Sequence, residues 1–198
     1  MLAGELYMAS DPELAADHLR AQALLAKFNA TAAYADAERH MLLTQLLGRI
    51  GEGTVVKPML RCDYGYNIAI GDRTVVNYDC VLLDCNRIRI GDEVQIAPGV
   101  HIYTATHPIE AEVRRSGLEY ALPVSIEDGA WLGGCSIIGP GVTIGANTVV
   151  GAGSVVTRDL PANVVAVGSP CRVIRQLGGK AGEEQPLRSD KSNVSAKN

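Results

Sequence analysis

The chain has four histidines, and their neighbours separate them. His18 and His40 fall in stretches with helical spacing, where packing or solvent accounts for them. His101 and His107 stand six residues apart within GVHIYTATHP. His107 precedes Pro108 and a polar segment. An imidazole at the edge of such an excursion can accept a hydroxyl proton near neutral pH, and a turn position without chemistry is the other reading. A three-histidine zinc site lacks its third ligand nearby. The five cysteines (Cys62, Cys80, Cys85, Cys135, Cys171) are odd in number and form no Cys-x-x-Cys pair, so free thiols in a reducing compartment are expected. Arg158, Arg172 and Arg175 gather late in a chain of net charge -4, either as phosphate contacts or as solvated surface charge.

These side chains need a scaffold, and the period of the sequence describes one. Residues 126–161, read in sixes, are IEDGAW, LGGCSI, IGPGVT, IGANTV, VGAGSV and VTRDLP. The leading position is always apolar: Ile126, Leu132, Ile138, Ile144, Val150, Val156. Gly follows it at 133, 139, 145 and 151, and the fifth position is mostly small. The same beat runs through Ile70, Val76 and Leu82, then Ile90, Ile96 and Ile102, with a slip of two residues between registers. A period of six is neither helical nor a simple strand alternation; it marks a parallel β-helix in which each hexad forms one flat side. Three sides make a coil of eighteen, which stacks Ile126 on Ile144 and Leu132 on Val150. Glycines are expected at the corners. The pair Gly151 and Gly153 resembles half a dinucleotide fingerprint, but its third Gly would fall at Val156, so that reading fails.

Two helices precede the coil. Ser10 and Glu13 suggest a capping box, and Leu14, Ala21, Leu25 and Phe28 recur at helical spacing. A second amphipathic stretch runs from about residue 34 to residue 47, with Gly48 placed to stop it. The expected organisation is a helical segment over 1–55 that packs on a β-helix over 56–177, with a Pro-bounded loop at 107–125 where binding residues belong. Residues 178–198 are polar and read as a disordered tail.

Four runs, AGELY (3–7), RCDYGYNI (61–68), APGVHIYTATHP (97–108) and NVVAVGSPCRVIR (163–175), together resemble the maltose O-acetyltransferases and the related galactoside acetyltransferases. The resemblance covers about residues 3–177. It implies a left-handed helix, an exception to the right-handed rule for parallel crossovers. It also implies acetyl-CoA as donor, direct attack by a sugar hydroxyl, and His107 as the general base. The backbone N–H of Gly134 would face the developing negative charge. Asn77 would approach the reacting hydroxyl, and Asp84 would stand beside the sugar-binding carboxylate. Galactoside enzymes carry two adjacent acids there; Asp84-Cys85 departs from this and favours a maltose-type acceptor. Tyr64, Tyr103 and Tyr120 are candidate sugar contacts or ordinary packing. For the cofactor, Trp131 would flank the pantetheine arm and Ala152 would offer backbone groups. Thr157, Arg158, Arg172 and Arg175 would lie near the nucleotide. The family is trimeric with the groove between subunits, which implies a homotrimer.

No basic stripe supports nucleic-acid binding. No apolar run approaches the ~20 residues of a membrane span, and the N-terminus lacks signal-peptide features, so a cytoplasmic enzyme without a metal is expected. Two competing readings are a serine or xenobiotic O-acetyltransferase and an inactive β-helical assembly subunit.

Overall fold

The computed structural model describes residues 1–178. The tail read from residue 178 onward therefore lies, but for Gly178, outside the described residues. The rest is a parallel β-helix of triangular section, closed at one end by helices.

The first face stacks Arg49–Ile50, Ile68–Ile70, Ile88–Ile90, Val124–Ile126 and Thr143–Ile144. The second stacks Val55–Val56, Val75–Val76, Gln95–Ile96, Trp131–Leu132, Val149–Val150 and Val164–Val167, and ends on an antiparallel strand, Arg172–Gln176. The third stacks Arg61–Cys62, Val81–Leu83, His101–Tyr103, Ile137–Ile138 and Val155–Val156. Ile126 pairs with Ile144 and Leu132 with Val150, the eighteen-residue step expected from the hexads. Earlier coils step by twenty, Ile70 onto Ile90 and Leu82 onto Ile102, which is the origin of the two-residue slip. The leading residue of every hexad points inward and is buried, as are the small fifth positions such as Ala130, Ser136 and Ser154. A bore this narrow accepts only one apolar side chain per side, so Ile and Val predominate over aromatics.

The expected role of the glycines needs correction. The corner residue with left-handed backbone is the fourth of each of the first five hexads: Gly129, Cys135, Gly141, Asn147 and Gly153, with φ between 57° and 78°. Gly and Asn tolerate that region best, so the position admits more than glycine. The second-position glycines serve close approach instead. A Cβ on Gly133 would meet the Ala152 nitrogen of the next coil at 2.5 Å.

Helix α1 (Pro12–Asn29) is capped by Asp11, whose side chain accepts from the Glu13 and Leu14 N–H groups. The Ser10 cap is thereby corrected by one residue: Asp11 precedes Pro12, whose missing N–H suits the first helical position. Helix α2 (Asp36–Leu46) ends at Leu47, just before Gly48. Ala21, Leu25, Phe28, Leu42, Leu43 and Leu46 pack into one continuous core with Leu60 and the first coils. The helices therefore plug the open end of the helix of strands. The strand at Arg49–Ile50 already belongs to the coil, ahead of residue 56.

The loop after the third face is more ordered than its composition suggests. It carries helix α3 (Ala111–Arg115) and a strand, Leu118–Ala121, which pairs antiparallel with Ala105–Thr106 on one side and with Tyr7–Met8 on the other. The N-terminal segment thus reaches across the molecule to complete a three-stranded sheet beside His107.

Candidate active site

That sheet determines where His107 lies. Ala105 pairs with Ala121 and Thr106 with Tyr120, so His107 comes opposite Glu119; Glu119 pairs on its other side with Tyr7. Directly opposed residues of antiparallel strands share a face, which sets Tyr7, Glu119 and His107 in one row. The contacts agree. The Tyr7 hydroxyl donates to Glu119 Oε1, and His107 Nε2 stands 3.8 Å from Glu119 Oε2. The His107 side chain is 57% exposed, whereas Glu119 is 15% exposed.

The row opens on a cavity of about 670 Å³ whose rim includes His18, Asp63, Tyr64, Cys85, His107 and Glu119. Its remaining wall is apolar, with Leu14, Leu19 and Leu83 among its residues. Helix α1 presents His18, whose Nδ1 lies 3.1 Å from the Asp63 carbonyl oxygen and whose ring meets Tyr64 edge-on. The Cys85 thiol donates to Asp63 Oδ2 at 3.3 Å. Burial raises the Asp63 carboxyl above its ordinary value, an effect that the Cys85 thiol and the nearby His18 oppose. Burial also raises the Cys85 thiol to about 12, assisted by the Asp63 charge, so it is a donor and not a nucleophile.

Asp84, expected beside the sugar, lies fully inside the protein. One carboxylate oxygen accepts the N–H groups of Asp63 (3.0 Å) and Tyr64 (2.9 Å), and the other accepts that of Asn67 (3.3 Å). Asp84 thus builds the turn that carries Asp63 and Tyr64, and of the two acids it is Asp63 that lines the cavity. Burial raises the Asp84 carboxyl to about 6, the three N–H groups opposing it. A carboxyl whose folded value lies above its unfolded 3.8 favours the folded state most at low pH, and that contribution fades as pH rises through about 6. Urea unfolding from pH 4 to pH 7 should show Asp84→Asn lessening this decline; an identical slope in both proteins would remove Asp84 as its source.

The other candidates are distributed more widely. Tyr64 lines the cavity, whereas Tyr120 lines a neighbouring groove with Leu6, Ile109 and Val113, and Tyr103 turns outward to His101. Asn77, Gly134 and Ala152 fall at the corner between the second and third faces. Asn77 N–H donates to Ile96, Ala97 to Leu132 and Gly133 to Val150, a stack along the axis, and Gly153 N–H donates to the Gly134 carbonyl. Trp131 is 52% exposed on the second face. It heads a register row through Val149 and Val165 to Arg175. Three strand spacings make that row about 14 Å long, apolar at one end and cationic at the other, which suits a pantetheine arm leading to phosphate. Arg172 is exposed on the same last strand, while Thr157 and Arg158 are exposed past the third face. His107 and Gly134 thus occupy different corners of one chain, separated by the width of the third face.

Tyr7, Asp63 and Glu119 were not singled out by the sequence, His18 was read as an ordinary helix residue, and Cys85 only as a free thiol in place of a second acid. Asp63 sits within RCDYGYNI and Tyr7 within AGELY, so the runs drew attention to the segments without identifying the side chains that face the cavity. Among the described residues no cluster suits a metal ion, and no helix is long and apolar enough to cross a membrane.

Comparison with known proteins adds what geometry cannot. Residues 1–51 match the maltose acetyltransferase hexapeptide capping motif, and residues 123–158 match the bacterial transferase hexapeptide, six repeats. The chain is 50% identical over 173 residues to nodulation protein L of Rhizobium meliloti, covering 87% of this chain and 94% of that protein. A solved maltose O-acetyltransferase from Clostridium difficile superposes with a TM-score of 0.89 at 49% identity, covering 90% of this chain and 95% of that one. A galactoside acetyltransferase solved in complex with coenzyme A gives 0.87 at 39% identity, covering 89% and 88%. With this identity over nearly the whole chain, the capping helices, the left-handed β-helix and the repeats all point one way: the protein belongs to the hexapeptide-repeat sugar O-acetyltransferases, in the group of the maltose and galactoside enzymes.

Proposed function

We propose that this protein transfers the acetyl group of acetyl-CoA to a sugar hydroxyl, the primary one at C6 of maltose, glucose or a related sugar. The observation that carries this reading is the cavity at His107. It combines an exposed imidazole at the rim, two carboxyl groups inside and an apolar wall. Carboxylates accept hydrogen bonds from sugar hydroxyls, and an imidazole among them takes the proton of the one that attacks. Acetyl-CoA supplies the activated acyl group. The Gly134 N–H is assigned to the oxygen on which charge develops, and the row from Trp131 to Arg175 to the cofactor arm. Because His107 and Gly134 lie at different corners, we assign the complete site to the junction of two chains in a homotrimer, with Asn77 supplied alongside Gly134. The five free thiols fit a reducing cytoplasm.

An acceptor screen at fixed acetyl-CoA, following free thiol release and the position of the ester, tests the assignment. Glucose and maltose should be acetylated at C6; release only with serine or an aromatic alcohol would sink the sugar reading. Neutralising Arg175 or Arg172 should raise the acetyl-CoA KM roughly tenfold, since a charge-assisted phosphate contact contributes about 1.5–3 kcal/mol. The sugar KM should stay nearly fixed, and an unmoved acetyl-CoA KM in both variants refutes the cofactor path.

A further inference from the structure

The N-terminal strand carries none of the residues assigned to the reaction, yet it is hydrogen-bonded into the site. Tyr7–Met8 forms the outer strand of the three-stranded sheet, and the Tyr7 ring packs in a small apolar cluster with Tyr64, Cys85 and Ala121 beneath the cavity. Its hydroxyl reaches Glu119, the residue opposite His107. We propose that Tyr7 is a positioning residue: its hydroxyl anchors one oxygen of Glu119 so that the other is held against the His107 ring nitrogen. The proposal rests on the reading of His107 as general base.

The spacing suits such a task. At 3.8 Å the Glu119 oxygen is too far from Nε2 for a hydrogen bond, so it does not occupy the nitrogen that must receive the acceptor's proton. It is close enough to stabilise the positive imidazolium that forms when the proton arrives, because an opposite charge within about 4–6 Å favours the charged form. The benefit appears only as charge develops, which puts it in kcat and not in ground-state binding. A glutamate side chain has several rotamers, and a distance of this kind persists only if something fixes the carboxylate. Tyr7 does so with one hydroxyl from a half-buried ring. Burial and the neighbouring Glu119 and Cys85 raise its phenol far above the usual range, so it remains a donor wherever the enzyme works. Phenylalanine keeps the ring and loses only the anchor.

The test is steady-state kinetics on the full-length Tyr7→Phe and Glu119→Gln variants, their double variant, and His107→Ala. Tyr7→Phe should lower kcat about tenfold with both KM values within about twofold, because Tyr7 does not line the cavity. Glu119→Gln should lower kcat further and also raise the sugar KM, since Glu119 does line it. The double variant should be no slower than Glu119→Gln alone, the mark of one pathway and not two. A Tyr7→Phe kcat within twofold of the parent, or losses that multiply in the double variant, overturns the proposal while leaving His107 as base. A fall in kcat that tracks only a lower thermal midpoint assigns Tyr7 to packing and also overturns it. An active His107→Ala removes the base, and this proposal falls with it.

Discussion

Replacing His107 by Ala should lower kcat by about 10²–10⁴, the range for loss of a positioned general base. The acetyl-CoA KM should change little, because His107 stands at the cavity lined by Asp63 and Glu119 and away from the Trp131 row. No neighbour can take over. The Asp63 and Glu119 carboxylates line the cavity but carboxylates are weaker bases than imidazole, His18 is engaged with the Asp63 carbonyl and Tyr64, and Cys85 holds its proton to about 12. Water replacing the imidazole is a far weaker base, so the variant keeps binding and positioning and loses the proton transfer. Turnover within threefold of the parent would take His107 out of the mechanism. Direct attack also predicts that no acetylated enzyme accumulates. Mass spectrometry of the enzyme with acetyl-CoA alone should find the parent mass, and an acetyl adduct on Cys135 or Cys85 would contradict the scheme.

The second large effect is expected in mixtures. His107→Ala and Asn77→Ala proteins should each be nearly inactive. Chains of the two kinds, co-expressed with different tags and purified as mixed assemblies, should recover about a third of the parent's activity. In the proposed cyclic trimer each site draws His107 from one chain and Asn77 from its neighbour, so every mixed trimer has both native in about one site of three. The reason lies in the triangular coil: Asn77 shares a corner with Gly133 and its neighbour Gly134, while the sheet carrying His107 projects from another. A single chain has no way to close that gap without unwinding a coil. Mixed assemblies as inactive as their parents, or a fully active monomer in sedimentation, would place all of these residues on one chain after all.

The division between sequence and structure follows from the range of the interactions involved. Inward stacks such as Ile126 on Ile144 were legible because a coil repeats its own spacing, and contact across eighteen residues becomes a local rule. The helices were legible for the same reason, with the cap displaced from Ser10 to Asp11 by a proline whose effect reaches one residue. His107 was legible through the THP run and its place at the end of a coil. The cavity around it was not. Tyr7 meets Glu119 across 112 residues, and His18 meets Asp63 across 45. No period links such residues; only the closing of the small antiparallel sheet and the docking of helix α1 bring them together. Asp84 shows the opposite case, a polar residue at a promising position that the turn at 63–67 draws inward to satisfy three N–H groups. Repetition along the chain therefore determined the scaffold, and the THP run singled out His107. Which carboxylates line the cavity beside His107, and which strand meets them, was decided by tertiary contacts that the repeat does not encode.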